Sequence, residues 1–385
     1  MKRKPILKTV LTFAGVMPLI LASVACSNGS LQMSIISTAE FSQTKNVEVT
    51  PSPSAISIET PTIEPVVTAT MQNAPTEVDV RQLPLAAPLD STKMEFSGMA
   101  WYGDKLVLLP QYPARFKVDG NPAIYAIEKK DILVAIEQKG GQPLTGKPVP
   151  FEDGGLSNSL KGFEGFESLV FDGNSVYLTI ETHSGSPMMG YFVRGQVVGD
   201  LKKIVLEPET LIELPPQTSF ENASNEAIAI FQGKVYTLFE DNGASVNPEP
   251  YASVINMADL SQTRLPFPSI NYRITDATMV ASDGTFWVMN YFYPGDTHLA
   301  VNSDPIALEF GLGPTHIESA VVERILELHI TDSGIRLEQI PPIQLRLLDT
   351  ETARNWEGIE YLDGYGFLLV TDSFPDTILG FVPYP

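Results

Sequence analysis

Short apolar runs separated by polar turns recur along the chain from residue 96 onward. Five windows share one order, in which an apolar run, a turn containing Gly, and a second run rich in Val, Tyr, Phe and Leu follow each other. Two such runs around a Gly-containing turn are typical of a β-hairpin. The windows are FSGMAWYGDKLVLLP from Phe96, FESLVFDGNSVYLTIE from Phe166, SNEAIAIFQGKVYTLFED from Ser224, TDATMVASDGTFWVMN from Thr275 and WEGIEYLDGYGFLLVTD from Trp356.

Further runs after each hairpin bring the count to about four strands per unit. These runs include AIYAIEKKDILVAIEQ from Ala123 and VVERILELHITDSGIRLEQI from Val321, and no amphipathic helical pattern of convincing length accompanies them. Repeats of four antiparallel strands predict an all-β fold, a β-propeller of about five blades. The long interval from Asp276 to Glu357 leaves room for a sixth blade.

The two ends of the repeat region predict how the ring closes. The last hairpin is followed only by DTILGFVPYP from Asp376, which is one strand short of a blade. The stretch EVDVRQLPLA from Glu77 precedes the first hairpin and has no blade of its own. We therefore expect this N-terminal stretch to supply the outer strand of the last blade, because closure removes open strand edges.

The N-terminus carries a targeting signal ahead of the repeats. A basic segment, MKRKPILK, precedes an apolar stretch that ends at SVAC, where Cys26 is the single cysteine of the chain. This arrangement resembles a bacterial lipoprotein signal peptide covering residues 1–25, and the resemblance implies diacylglycerol on Cys26. The protein would then be extracytoplasmic, in a bacterial cell envelope, and attached to the membrane through that lipid only. A plain secretory signal with an incidental cysteine is the alternative.

Composition separates a tether from the folded domain. Residues 26–76 are rich in Pro, Thr and Ser, which predicts an extended tether, and residues 77–385 are predicted to form the propeller. The chain has 46 acidic against 25 basic residues. Such an acidic chain repels nucleic acid, so its partner is expected to be an unknown small molecule or protein.

Acidic residues stand where the first strand of each hairpin begins. In a propeller these positions converge on one mouth of the axial channel, and clustered carboxylate and amide oxygens are the ligands that Ca²⁺ prefers. The candidate metal ligands are Glu167, Asn225, Glu226, Asp276 and Glu357. The same side chains would equally serve to cap strands, to hold water, or to pair with Lys161, Arg273 and Arg354.

The Glu-Gly-Ile step before a strand and the Asp-Gly turn after it resemble the extracellular "esterase-like activity of phytase" group. The hairpins also look like those of the gluconolactonase and paraoxonase calcium propellers. The second resemblance implies a calcium ion that polarises a substrate carbonyl, held by the candidate ligands above. The first implies phosphate-ester hydrolysis, but the strand openings lack the Lys or Arg cluster that phosphate charge requires.

Several further side chains are candidates for chemistry. The second strands end in Glu181, Glu240-Asp241, Asn290 and Asp372. The sequence does not decide whether these residues lie at the same mouth of the channel as the strand openings or at the opposite end. His183 and His298 follow two of these ends and are candidate general bases, or loop histidines with no role. The aromatic run NYFYPGD after Met289 predicts at least one ring on a loop over the propeller face. Loops 111–122, 241–250 and 293–305 are the expected recognition surfaces.

Two functions remain open on this sequence. The first is a lipid-anchored propeller that binds a ligand or protein on its loop face. The second is a calcium-dependent lactonase or esterase-type hydrolase with the metal in the central channel and His183 or His298 as base. The sequence lacks a Gly-x-Ser-x-Gly elbow, a phosphate loop, and the His spacing of a zinc site.

Overall fold

The repeated hairpins form the inner strands of four-stranded antiparallel units, which we call blades. The structure is a computed structural model that describes residues 75, 77–138, 141–185 and 187–385. The hairpin turns have the backbone geometry that their glycines predict, with φ of 56° at Gly103 and 94° at Gly284. The inner strands are nearly continuous apolar runs because other blades cover both of their faces.

The strands of the first two blades are numbered in chain order after β1 (Arg81–Leu83), which precedes them. Blade one contains β2 (Phe96–Tyr102), β3 (Lys105–Pro110), β5 (Asn121–Glu128) and β6 (Lys147–Glu152), with a short β4 (Lys117–Val118) beside β5. Blade two contains β7 (Phe163–Asp172), β8 (Ser175–Thr182), β9 (Met189–Val198) and β10 (Lys203–Leu206), with β11 (Ile212–Leu214) beside β9. Parallel pairing of β6 with β10 joins the two blades at their outer edge.

The remaining strands form three more blades. Blade three contains β12 (Asn225–Phe231), β13 (Lys234–Phe239), β14 (Tyr251–Asn256) and β15 (Gln262–Pro266). Blade four contains β16 (Arg273–Ala277), β17 (Thr285–Phe292), β18 (Val322–Thr331) and β19 (Gly334–Leu337), with β20 (Ile343–Gln344) beside β18. Blade five contains β21 (Trp356–Leu362), β22 (Gly366–Thr371), β23 (Leu379–Pro383) and β1.

The blades are arranged around one axis. The innermost strands contact each other in the order β2, β7, β12, β16 and β21, and β21 returns to contact β2. The predicted closure is confirmed, since β1 pairs antiparallel with β23 and places Leu83 opposite Leu379. The fold is therefore a β-propeller whose ring is sealed by an N-terminal strand.

Helices occupy the connections between strands. They are α1 (Lys129–Glu137), α2 (Leu156–Ser159), α3 (Pro305–Phe310) and α4 (Pro314–Ile317), and single 3-10 turns cover Thr92–Met94, Pro113–Arg115 and Pro208–Thr210. The strand prediction for AIYAIEKKDILVAIEQ is wrong in its second half, which forms α1. Ile132, Ala135 and Ile136 are buried there, at a spacing that only a helix places on one face. The interval that left room for a sixth blade holds α3, α4 and the outer strands of blade four.

The hydrophobic core lies between the blades, with a separate cluster for each neighbouring pair. Phe151 of blade one meets Phe166 of blade two edge to face, with ring centroids 5.0 Å apart. Trp356 is fully buried between blades four and five. Because each blade packs on two neighbours, the position of every inner strand is fixed by the whole ring.

The predicted signal peptide, the tether and the lipidation site Cys26 lie outside the described residues, Pro75 excepted. Among the residues that the structure describes, no helix is long and apolar enough to cross a membrane.

Candidate functional site

Each inner strand contains a β-bulge near its first residues. The pairing of the inner hairpins skips one or two residues between Phe96 and Gly98, Phe166 and Ser168, Asn225 and Ala227, Ile274 and Ala277, and Trp356 and Gly358. A bulge releases a residue from the ladder and turns its side chain in a new direction. The released residues are Ser97, Glu167, Glu226, Thr275 with Asp276, and Glu357.

Two of the released side chains join neighbouring blades. The Ser97 hydroxyl donates to the Phe166 carbonyl of blade two at 2.5 Å. The Thr275 hydroxyl donates to the Trp356 carbonyl of blade five at 2.6 Å. In both cases the acceptor is the residue immediately before a released glutamate, so these hydroxyls hold the bulges that present Glu167 and Glu357.

The three released glutamates line one axial cavity of about 430 Å³. A cavity of this size is typical of small-molecule sites. Its acidic lining residues are Glu95, Glu167, Glu181, Glu226, Asp296, Glu357 and Asp372. The other lining residues are Phe96, Ser97, Gln111, Asn222, Arg273, Tyr291, Tyr293, Asn355 and Phe374.

Two of the second inner strands end with an acidic residue at the same cavity, whereas Glu240, Asp241 and Asn290 do not line it. Glu181 at the end of β8 and Asp372 just after β22 both line it, because in an antiparallel hairpin the end of one strand adjoins the start of the other. This resolves the alternative that the sequence left open. Tyr293 lies on the loop after β17, lines the cavity and is 45% exposed, as expected for one ring of the aromatic run.

Arg273 is the single basic residue in the cavity lining. Its Nη1 contacts Glu240, and its Nε donates to Asp296 Oδ2 at 2.8 Å. Both of these interactions are buried or half-buried, so the guanidinium charge is already balanced by two carboxylates. Arg273 is therefore not available to pair with the other carboxyl groups of the cavity.

Burial is the first cause of raised pKa values throughout the cavity. Burial, together with repulsion from Glu240 and Glu164, raises the pKa of Glu181 to about 8. Burial and the Glu181 charge hold the pKa of Glu167 well above its usual range. Burial and the Asp372 charge do the same for the pKa of Glu357. The environment of the cavity therefore favours the neutral form of these carboxyl groups.

Glu226 and Glu240 are neighbouring acids whose charges affect each other. One buried oxygen of each side chain, Oε2, receives no N–H or hydroxyl donor among the described residues. Repulsion between the two carboxylates favours the state in which one of them holds a proton. Burial raises the pKa of Glu240 to about 7, and burial with the Glu240 charge raises the pKa of Glu226 well above its usual range.

Two of the predicted metal ligands point elsewhere. Asn225 is buried and accepts a hydrogen bond from the Thr237 hydroxyl at 3.1 Å. Asp276 is buried at the ring axis, where its Oδ1 accepts from the Ser168 hydroxyl at 3.1 Å and its Oδ2 from the Ile359 N–H at 3.0 Å. Neither side chain lines the cavity.

The two candidate histidines also stand apart from the cavity lining. His183 is exposed on the loop after β8. His298 Nε2 lies 3.3 Å from Asp241 Oδ2, and its ring packs against Phe220 with centroids 4.5 Å apart. Neither histidine is therefore placed to act as a general base on a ligand in the cavity.

The predicted calcium ligands are not assembled as a set. The structure brings Glu167, Glu226 and Glu357 to one cavity and directs Asn225 and Asp276 elsewhere. In the described part of the chain, no three His, Cys, Asp or Glu side chains converge closely enough to hold one metal ion. Ca²⁺ takes six to eight oxygens, so this arrangement does not fit the ion without side-chain movement.

Comparison with known proteins finds only distant likeness to solved structures. No family model matches the chain, and no curated protein matches it. Solved structures similar to it include a Bombyx mori β-fructofuranosidase mutant (9% identity, TM-score 0.43, 79% of this chain and 62% of that chain). A Cellvibrio cellulosa α-L-arabinanase mutant is similar with 9% identity and a TM-score of 0.39, over 80% of this chain and 92% of that chain. A Leishmania major protein is similar with 12% identity and a TM-score of 0.42, over 82% of this chain and 91% of that chain. Likeness at this level carries no argument about substrate.

Proposed function

We propose that the protein is an extracytoplasmic, lipid-anchored propeller that binds a small molecule in the axial cavity. The observation that carries this proposal is the convergence of Glu167, Glu226 and Glu357, each released by a bulge at the same position of a different blade. A cavity on which a few polar side chains converge is typical of a small-molecule binding site.

A purely structural role for these carboxylates is less consistent with how the chain treats buried acids elsewhere. Glu323 is fully buried and accepts hydrogen bonds from the Arg354 backbone N–H, the Arg354 side chain and the Trp356 indole. Glu357 receives no hydrogen bond from any described residue, although it is half-buried. A ligand would supply the donors that the protein itself does not provide.

The test is a thermal-shift screen of the purified full chain against neutral sugars, amines, phosphate esters, lactones and divalent cations. A compound that binds in the cavity should raise Tm for the natural chain and lose most of that effect in Glu357→Gln. The matched control is Glu213→Gln, which removes the same charge from an exposed position on β11. If every stabilising compound acts equally on both variants, the axial cavity is not the binding site.

Acid–base hydrolysis of an ester or lactone is a second candidate, favoured by the Glu226–Glu240 pair. Glu226 lines the cavity and would give its proton to the leaving oxygen of the substrate. Water would add to the carbonyl carbon and lose its proton to an ionised neighbouring carboxylate. No step in this scheme needs a metal ion, although the calcium site of the resemblance remains a prediction.

Hydrolysis of a lactone and aryl-ester panel, with and without chelator, tests this candidate. Glu226→Gln should abolish turnover while Glu213→Gln retains it, and chelator should have no effect. Turnover that disappears with chelator and returns with calcium would instead support the ion site that the sequence resemblance implies.

The anchoring part of the proposal rests on Cys26 and is tested separately. In a bacterial host, the natural chain should fractionate with membranes, and Cys26→Ser should move it to the soluble extracytoplasmic fraction. If the two proteins fractionate identically, the plain secretory alternative is correct.

A further inference from the structure

The axial cavity holds many more acidic than basic groups. Seven of its lining residues are carboxylic acids and one is basic. The basic residue, Arg273, is already paired with Glu240 and Asp296, and the rim residue Glu95 pairs with Arg115. Burial favours the neutral form of several of these acids, and a cation bound beside them would favour their ionised form. Charge complementarity therefore favours a cationic ligand.

Glu181 is the side chain that points most directly to a ligand. It is only 6% exposed, lines the cavity, and has no hydrogen-bond or ion-pair partner among the described residues. Burying a carboxyl group without a partner is costly. The two fully structural acids of the ring, Asp276 and Glu323, have their oxygens bonded to donors of the protein. Glu181 differs from both because no described residue donates to it.

The shape and lining of the cavity favour an organic cation over a metal ion. In the part of the chain that the structure describes, no three acidic or histidine side chains converge on a single point. The carboxylates are instead distributed around a space of about 430 Å³. Tyr293 and Phe374, which are 45% and 52% exposed, add aromatic walls at the rim. Separated carboxyl groups in a cavity with aromatic rings at its rim match ammonium groups joined by a hydrocarbon chain.

We infer that the cavity binds a linear organic polyamine, with Glu181 and Glu357 accepting ammonium N–H groups and Tyr293 and Phe374 covering the methylene chain. This inference rests on the proposed function, since it assigns a ligand class to the same cavity. Glu167 already accepts a hydrogen bond from Gln111 Nε2 at 3.2 Å, so it is a weaker candidate acceptor for the ligand.

The experiment is isothermal titration of the full chain with spermidine at moderate ionic strength. We expect one bound spermidine per chain, a Kd raised at least tenfold in Glu181→Gln and Glu357→Gln, and an unchanged Kd in Glu213→Gln. Tyr293→Ala should weaken spermidine more than it weakens putrescine, because the longer chain contacts more of the aromatic wall. Choline, which has no N–H donor, should not compete.

Several results would overturn the inference. Multiple weak sites that weaken equally in Glu181→Gln and Glu213→Gln would show diffuse attraction to an acidic surface. Binding of calcium or of a neutral sugar at the cavity without binding of spermidine would leave the proposed function standing and remove this ligand class. If no compound binds and no cavity variant changes any binding, the ligand class and the proposed function both fail.

Discussion

Glu181 is an acidic residue whose environment favours its neutral form. Its neighbours Glu240 and Glu164 raise its pKa, Arg273 lowers it, and burial is the largest cause of the net rise to about 8. A folded-state pKa above the unfolded value gives stability that is fully present below about pH 4.5 and is lost as pH rises through about 8. Ionised Glu181 therefore lowers the stability of the folded protein at alkaline pH, and it provides a hydrogen-bond acceptor inside the cavity.

The Glu181→Gln variant tests this residue directly. Gln keeps the shape and cannot ionise, so at pH 9 the variant should melt on the order of 3 °C above the natural chain. At pH 4 the two proteins should melt at similar temperatures, because Glu181 is then protonated in both states. Scanning calorimetry from pH 4 to 9 provides the measurement, with Glu213→Gln as control. A difference that does not change with pH would contradict the assignment.

Asp276 illustrates a buried acid with a structural task. It joins blade four to blade two through Ser168 and to blade five through the Ile359 N–H. Asp276→Ala should cost about 3 kcal/mol or more, because it leaves buried donors without a partner. Ser168→Ala removes one of these bonds and should cost about 1 kcal/mol. Urea unfolding measures both, and equal costs for the two variants would argue against a cross-linking role.

The element that positions the candidate site is the bulged inner strand. The sequence allowed the hairpins to be predicted, because apolar runs and Gly turns mark strands that are covered on both faces. It did not show the bulges, and a shift of one residue sends a side chain to the other face of a strand. This is why Glu226 enters the cavity while its neighbour Asn225 does not, although both were predicted ligands.

Other elements escaped prediction for a different reason. The segment that forms α1 has apolar residues that suit a strand or a helix over a short length, and the choice is made by its packing against blade one. Arg273 and Asp296 come together from a strand and a loop 23 residues apart, and no local pattern marks that contact. Long-range side-chain pairs are visible only once the ring is assembled.

The closing strand β1 makes a prediction at the scale of one element. Leu83 is buried against blade five and blade one, whereas Gln82 on the same strand is exposed. Leu83→Asp should therefore detach β1, lower stability by about 3 kcal/mol or more, and produce oligomers through the uncovered edge of β23. Unfolding curves and size-exclusion chromatography with light scattering report the two effects.

Gln82→Asp is the matched control, because it places the same charge on the opposite face of the strand. It should change stability by no more than about 0.5 kcal/mol and leave the protein monodisperse to the same degree as the natural chain. Aggregation by both variants, or by neither, would show that β1 does not protect an edge.

Charge acts on the molecule as a whole. The chain has 46 acidic and 25 basic residues, so its surface repels itself at neutral pH. Raising NaCl from 20 to 500 mM should increase Tm, since salt screens repulsion between exposed charges. Sucrose at matched osmolality separates screening from solvent exclusion. A Tm that falls with NaCl would mean that ion pairs such as Arg346–Asp79 outweigh the repulsion.

The seam of the ring lies next to the segment through which the proposed anchor would be attached. Glu77 is held by the Thr315 and His316 backbone N–H groups, and only three residue pairs join β1 to β23. A force applied at the N-terminal side would act first on the hydrogen bonds of Glu77 and then on the three residue pairs between β1 and β23. Such a force would therefore open the ring between β1 and β23 and expose the axial cavity, while the inner strands of every blade stay paired.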